Sequence, residues 1–200
     1  MKYILLFIFF THILFALSIN ESLLKIHAVL VPKISLMDYD FKRKLKDNAI
    51  VLAILYDKND YKNAKFLQAT IENRYHKKLE NYTLKTLVIP YKKVAKTDAS
   101  LYYLFPTDKK TIKKVVKKAK EEEALTFSYA TTDLNEGVML SLKVGTKVKP
   151  IINLHAVKIN HIIFRPVLLK ISHIYKVGYD NLPKSSRQSE HKTYFTSLFF

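Results

Sequence analysis

Ala49-Ile50-Val51-Leu52-Ala53-Ile54-Leu55-Tyr56 is an unbroken apolar run that closes on a tyrosine. A run this short and this continuous suits a strand covered on both faces, as in a parallel sheet; a half-solvated strand would alternate. Directly after it, Ala64, Leu67, Ile71 and Tyr75 recur at intervals of three and four within residues 61–75. That spacing predicts an amphipathic helix lying over the strand.

The alternation continues outward in both directions. Upstream, Leu23, Leu24, Ala28, Val29, Val31, Ile34 and Leu36 turn largely to one side of a helix over residues 21–37, which Pro32 is expected to kink or divide. Downstream, strands are expected at 83–89 and 99–105, ended by Pro90 and Pro106 and separated by a polar connection containing Tyr91-Lys92-Lys93. Thr107-Asp108 supplies an N-cap for a helix running to about Glu123, with Ile112, Val115, Val116 and Ala119 on one face. Leu125, Phe127 and Tyr129 alternate as in a half-buried strand, and Gly145-Thr146 reads as a tight hairpin turn between strands 138–144 and 147–154. Short helices over 155–160 and 166–177, the second with Pro166 in its first turn, finish the pattern. The fold class is α/β: a mixed, mostly parallel sheet flanked by helices, with a C-terminal antiparallel hairpin and a closing helix. Val138, Leu140, Leu142, Ile151, Leu168, Leu169 and Ile171 are its expected core near the C-terminus.

Residues 1–18 have the layout of a secretory signal peptide. Met1-Lys2 precede an apolar stretch over 3–17, and Ala16 and Ser18 are the small residues three and one before a cut after Ser18. At about 1.5 Å per residue that stretch falls short of a roughly 30 Å hydrocarbon core, so cleavage is the reading and an uncleaved anchor the alternative. The domain then spans 19–177, and the Ser-, Asn- and Gln-rich segment 178–200 reads as a disordered tail. Its last residues, Phe195, Leu198, Phe199 and Phe200, read as a sticky end, because one such segment cannot close a barrel.

Composition removes several kinds of chemistry. The chain has no cysteine, which excludes thiolate catalysis, disulfides and cysteine-ligated zinc. With three glycines and no G-x-x-x-x-G-K-S/T, G-x-G-x-x-G or G-x-S-x-G, phosphate-cradling loops and nucleophile elbows are missing. His12, His27, His76, His155, His161, His173 and His191 form no ligand pair at metal spacing. Asp38 with Asp40, and Asp57 with Asp60, sit where loops gather, but turn and capping roles account for such aspartates. No enzymatic activity and no cofactor are expected.

Charge is the other strong signal, +17 from 34 Lys plus Arg against 17 Asp plus Glu. Export and the scarcity of arginine, present only at Arg43, Arg74, Arg165 and Arg187, argue against nucleic acid as the partner. The lysines concentrate in the helix after Asp108. There Lys109, Lys110, Lys113, Lys114, Lys117 and Lys118 precede Glu121, Glu122 and Glu123, a distribution opposed to the helix dipole. Two readings stand: a dock for an acidic partner or an anionic membrane surface, and a solvated face.

The order of residues in the last third resembles a known family. Glu136-Gly137-Val138-Met139-Leu140-Ser141-Leu142, then 148–151, then Ile152-Asn153-Leu154-His155-Ala156, then Ile163-Phe164-Arg165-Pro166-Val167-Leu168-Leu169-Lys170-Ile171 look like the end of the YfiR family. Its pattern there is a glycine-led strand, a hairpin strand ending in an Asn-Leu-x-Ala turn, and a closing helix with paired leucines. Gly137, Asn153, Leu154, Ala156, Leu168 and Leu169 are the structural residues that the resemblance picks out. This chain departs from the pattern in having Met37-Asp38-Tyr39 where a Trp-Pro commonly ends the first helix, and in lacking cysteines. The resemblance implies a small periplasmic, non-enzymatic protein that binds the periplasmic part of an inner-membrane signalling protein, typically a diguanylate cyclase or else a sensor kinase, and tunes cyclic-di-GMP signalling or the equivalent output. Self-association as a homodimer is left open. The alternative is a periplasmic ligand-binding or uptake accessory protein with a pocket at the C-terminal edge of the sheet.

Overall fold

The computed structural model describes residues 19–176. The expected leader over 1–18 and the expected tail over 178–200, with its terminal aromatics, lie outside the described residues. Strands β1 (Ala49–Tyr56), β2 (Lys78–Leu79), β3 (Tyr82–Pro90), β4 (Leu101–Leu104), β5 (Leu125–Ser128), β6 (Leu140–Lys143), β7 (Lys149–Asn153) and β8 (His173–Tyr175) form one sheet. Its order is β2-β3-β1-β4-β5-β6-β7-β8. Among the described strands β2–β3 and β6–β7 pair antiparallel, and β1 with β3 and with β4, β4 with β5, β5 with β6 and β7 with β8 pair parallel. The expected α/β class, mostly parallel with one C-terminal hairpin, is the observed one.

Helices α1 (Glu21–Ser35), α2 (Tyr61–Tyr75), α3 (Lys109–Glu121), α4 (Leu154–Ile159) and α5 (Pro166–Ile171) flank the sheet. From β1 the chain crosses through α2 to β3 in one direction, and from β4 through α3 to β5 in the other. Right-handed crossovers running in opposite directions place their helices on opposite faces. Accordingly Ala64, Leu67 and Ile71 of α2 share a core with Ile50, Leu52 and Ile54, whereas Ile112, Val115 and Ala119 of α3 share another with Val51, Ala53 and Leu55. Both faces of β1 are covered, which is why its sequence does not alternate. Among the described residues no helix is long and apolar enough to cross a membrane.

Five expectations are corrected. Pro32 does not divide α1, which is continuous through it; three residues from the helix end, its missing N–H removes a single late hydrogen bond. β5 is buried on both faces rather than half-buried. Thr126 and Ser128, on the face opposite Leu125 and Phe127, are hydrogen-bonded to the segment that follows, Thr126 Oγ1 accepting from Met139 N–H at 3.0 Å and Ser128 Oγ donating to Asp133 of the Thr131–Glu136 turn at 2.6 Å. The hairpin between β6 and β7 is not a tight turn at Gly145-Thr146; residues 144–148 connect the strands, and Gly145 does not take the left-handed conformation that two-residue hairpins favour. The closing helix stops at Ile171, not 177, where extended Ser172 turns the chain into β8, which pairs beside β7. Val138, Leu140, Leu142, Ile151 and Leu168 are buried as expected, and half-buried Leu169 packs against the core, but Ile171 is 54% exposed. A helix as short as α5 turns one stripe inward, and Leu168 occupies it while Val167 and Ile171, one turn apart, face solvent.

Candidate functional site

The lysine-rich helix is built as its sequence requires. Asp108 caps it, Oδ1 accepting from Thr111 N–H at 3.0 Å and Oδ2 from the Thr111 hydroxyl at 2.6 Å, and these bonds hold its carboxyl below the usual range. Because Ile112, Val115 and Ala119 are buried, most of the lysines are left on the solvent side. There the lysines divide. Lys109 and Lys113 each place Nζ 3.4 Å from a different oxygen of Glu136, a carboxylate only 11% exposed in the turn that follows β5. Lys118 is half-buried, paired with Glu122 and 3.7 Å from Asp98, and the Tyr102 hydroxyl donates to the other Glu122 oxygen at 2.6 Å. Lys117 reaches Glu121 at 3.9 Å. Lys110, Lys114 and Lys120 are exposed, with no ion pair among the described residues. The charge order that opposes the helix dipole thus has a local reason: Glu136 balances the first turns, and i,i+4 glutamates balance the last.

Of the family-motif residues, Gly137 and Asn153 hold the turn that lies against that helix, and the others pack in or on the larger core on the opposite face of the sheet. Gly137 ends the Thr131–Glu136 turn at φ +97°, and a Cβ there would lie 3.2 Å from Val116 Cγ1 of α3. Glycine therefore lets the turn, and Glu136 with it, lie against α3. Asn153 is buried; its Nδ2 donates to Leu134 C=O of the same turn at 2.8 Å, and its Oδ1 accepts from Ala156 N–H at 3.1 Å, capping α4. Leu154 is half-buried, and Ala156 and Leu168 are buried in the larger core with Leu169 packed on it. These residues position elements.

Among the described residues, His27, His76 and Asp38 take structural roles; His12 and His191 lie outside the described residues. His27 lies in the interior with Nδ1 2.7 Å from the Tyr103 hydroxyl, and burial lowers its pKa to about 4. His76 ends α2 in the left-handed conformation, while His155 and His161 are exposed. Asp38 Oδ2 and Lys44 Nζ meet at 2.6 Å with both side chains buried, and Asp38 Oδ1 accepts from Asp40 N–H at 3.0 Å. Among the described residues no group of three or more His, Asp or Glu is placed to hold a metal ion.

One feature escaped the sequence reading in its particulars. A cleft of about 690 Å³ lies at the C-terminal ends of β1 and β3, lined by Tyr56, Asp57, Lys58, Tyr61, Pro90, Tyr91, Lys92 and Lys93. Asp57 accepts a hydrogen bond from the Thr107 hydroxyl, which ties this rim to the segment entering α3. Asp133, also unremarked in the sequence, has its carboxyl raised by burial against the opposing bond from Ser128. Only the topology brings the cleft residues together; they come from two separate segments, after β1 and after β3, and no motif spans them.

Among solved structures, the chain is similar to a conserved domain protein from Vibrio cholerae O1 biovar El Tor, at 13% identity and a TM-score of 0.54 over 76% of this chain and 60% of that one. This likeness is one of fold, and the chain spans about 60% of the length of that protein. An ABC domain from Streptococcus pneumoniae in complex with L-Trp is similar at 14% identity and a TM-score of 0.47, over 71% of this chain and 60% of that one. No curated protein matches the chain. A family model described as YfiR/HmsC-like matches residues 42–173, a span that holds all of α3, the Glu136 turn and the motif residues from Gly137 to Leu169. With more than half of its length matched, the chain belongs to the YfiR/HmsC-like family.

Proposed function

We propose that this protein is an exported, non-enzymatic regulator that binds the periplasmic part of an inner-membrane signalling protein, a diguanylate cyclase or a sensor kinase, through the exposed lysine face of α3. Family membership supports the regulatory class. The observation that carries the choice of surface is the sorting of charges: Lys110, Lys114 and Lys120 stay exposed with no ion pair among the described residues, on a helix whose other cations are balanced within the fold. An acidic patch on the partner complements that face, which steers encounter and fixes register. Action is by occupancy. Binding one state of the partner more tightly than another shifts its equilibrium by the difference in affinity, with about 1.4 kcal/mol for each factor of ten.

Deletion of the gene tests the reading in the cell. A changed cyclic-di-GMP level or kinase output with normal solute uptake is the expected result, with the protein found in the periplasmic fraction. Unchanged signalling with impaired uptake of a solute would instead support an uptake accessory role.

A further inference from the structure

The cleft at the end of β1 follows from chain direction. After β1 the chain passes through the Lys58–Asp60 turn into α2, on the face of the larger core. After β3, its neighbour, the chain enters the Tyr91–Lys96 turn, and Tyr91 belongs to the smaller core on the opposite face. The cleft thus lies at the carboxyl ends of two adjacent parallel strands whose continuations leave toward opposite faces, beside the β1–β4 boundary where the strand order reverses. With a volume of about 690 Å³ and one side open to solvent, the cleft has room for a small molecule held against its floor.

The lining has two chemistries. Tyr56 and Tyr61 set their rings 5.4 Å apart at 48°, and Tyr61 is 49% exposed, leaving ring surface open on the cleft side of α2. Tyr91 is fixed by a hydrogen bond from its hydroxyl to Phe105 C=O. Around the rim Lys58, Lys92 and Lys93 are exposed and make no ion pair among the described residues, unlike Lys109 and Lys113, which Glu136 balances. Asp57 lies in the same lining and Asp60 in the same turn; their hydrogen bonds, from the Thr107 hydroxyl and from Asn63 Nδ2 at 3.3 Å, come from neutral groups and balance no charge, so the lining sets three lysines against one carboxylate. A concave wall on which cations outnumber carboxylates concentrates anions, and the exposed tyrosine offers a face on which a planar group stacks.

We propose that this cleft binds a small ligand combining a planar ring with an anionic group, the ring against Tyr61 and Tyr56 and the anion on Lys58, Lys92 and Lys93. The site goes beyond the regulatory reading and does not depend on it, since the α3 lysine face takes no part. A phosphorylated nucleoside and an aromatic carboxylate share this chemistry.

Calorimetric titration of the full-length exported protein with adenosine 5′-monophosphate, with phenylpyruvate and with uncharged adenosine separates them. At least one anionic probe should bind saturably, the tighter naming the source, with adenosine about tenfold weaker or worse. Tyr61→Ala and the pair Lys92→Ala and Lys93→Ala lie at exposed positions and should leave the melting temperature unchanged while weakening that probe about tenfold each. Amide shifts of the unmodified protein should move at residues 56–61 and 91–93, a readout independent of any variant. Failure of both anionic probes to saturate at about 10 mM, full affinity in both variants, or shifts confined to other residues would overturn the site.

Discussion

On one side of the sheet α1 and α2 cover Leu52, Ile54, Tyr103, Phe105 and Phe127; on the other, α3 with the turns beside it covers Val51, Ala53, Leu55, Tyr102 and Leu104. The first side is aromatic and holds polar groups inside. Tyr103 stacks on Phe127 and Phe105 on Tyr129, His27 meets Tyr103 and Phe127 edge-on, and the Tyr129 hydroxyl accepts from Asn20 N–H at the start of α1. Beneath α3 the apolar contacts are mainly aliphatic, the buried hydroxyls of Tyr102, Thr126 and Ser128 are hydrogen-bonded, and the lysines carry charge outward on long side chains. A buried polar group without its partner loses its full solvation, whereas a solvated lysine loses little. Perturbation should therefore unfold the protein from the first side and alter its recognition from the second.

The sharpest break is expected at Lys44, whose ammonium meets Asp38 where the chain leaves α1, with Phe41 and Leu45 packed on the larger core. Lys44→Met leaves a carboxylate buried without its countercharge, and breaking such a pair costs about 3 to 5 kcal/mol. Urea unfolding should show that loss, and Asp38→Asn combined with Lys44→Met should recover most of it. A single variant as stable as the parent would mean that the pair is not closed in solution.

Leu168 and Ile171 test the same contrast within α5. Leu168→Ala should cost roughly 2 to 5 kcal/mol, as for truncating a leucine in a packed core. Ile171→Ala, at a 54% exposed position, should stay within about 0.5 kcal/mol. Equal shifts of the denaturation midpoint would mean that α5 is rotated relative to the arrangement seen here.

His27 makes the first side sensitive to pH. In the fold its pKa lies near 4 against an ordinary 6.5, so the unfolded chain binds the proton first. Its contribution is complete above pH 6.5 and falls as the pH drops toward 4, by about 3 kcal/mol across that window. Comparing unfolding at pH 7 and pH 4.5 for the parent and for His27→Gln, which keeps a polar partner for Tyr103, should show a shallower pH dependence in the variant. The same slope in both proteins would place the titrating group elsewhere.

Much of this contrast was legible in the sequence. Periodicity marked α2 and α3, and the unbroken run over Ala49–Tyr56 announced a strand covered twice. Local patterns failed where a remote partner decides the outcome. Thr126 and Ser128 look like solvent-facing positions until Met139 and Asp133 are brought to their hydroxyls. Ile174 and Tyr175 look like a helical continuation until β7 offers an edge to pair with. The six lysines of α3 were identified as a group, yet their division depends on Glu136, which the fold brings from beyond β5. The cleft was foreseen only as an edge of the sheet, because its residues meet through topology alone.

The smallest expected effect on stability concerns the α3 face, and it separates the two kinds of lysine. Lys110→Glu with Lys114→Glu alters exposed positions without an ion pair among the described residues, so stability should stay within about 0.5 kcal/mol. Association with an acidic partner should nevertheless be lost, and binding by the parent should weaken steeply with salt, since exposed charges are screened over about 8 Å at physiological ionic strength. Lys109→Glu with Lys113→Glu is the control. It sets two carboxylates against Glu136, itself held by a turn that Gly137 and Asn153 anchor, so it should lower stability as well. A reversal of Lys109, Lys113 and Lys117 together would mix these effects, because the first two are structural. If the Lys110 and Lys114 pair keeps full partner affinity and salt has no effect on the parent, the face is only solvated and recognition lies on another surface.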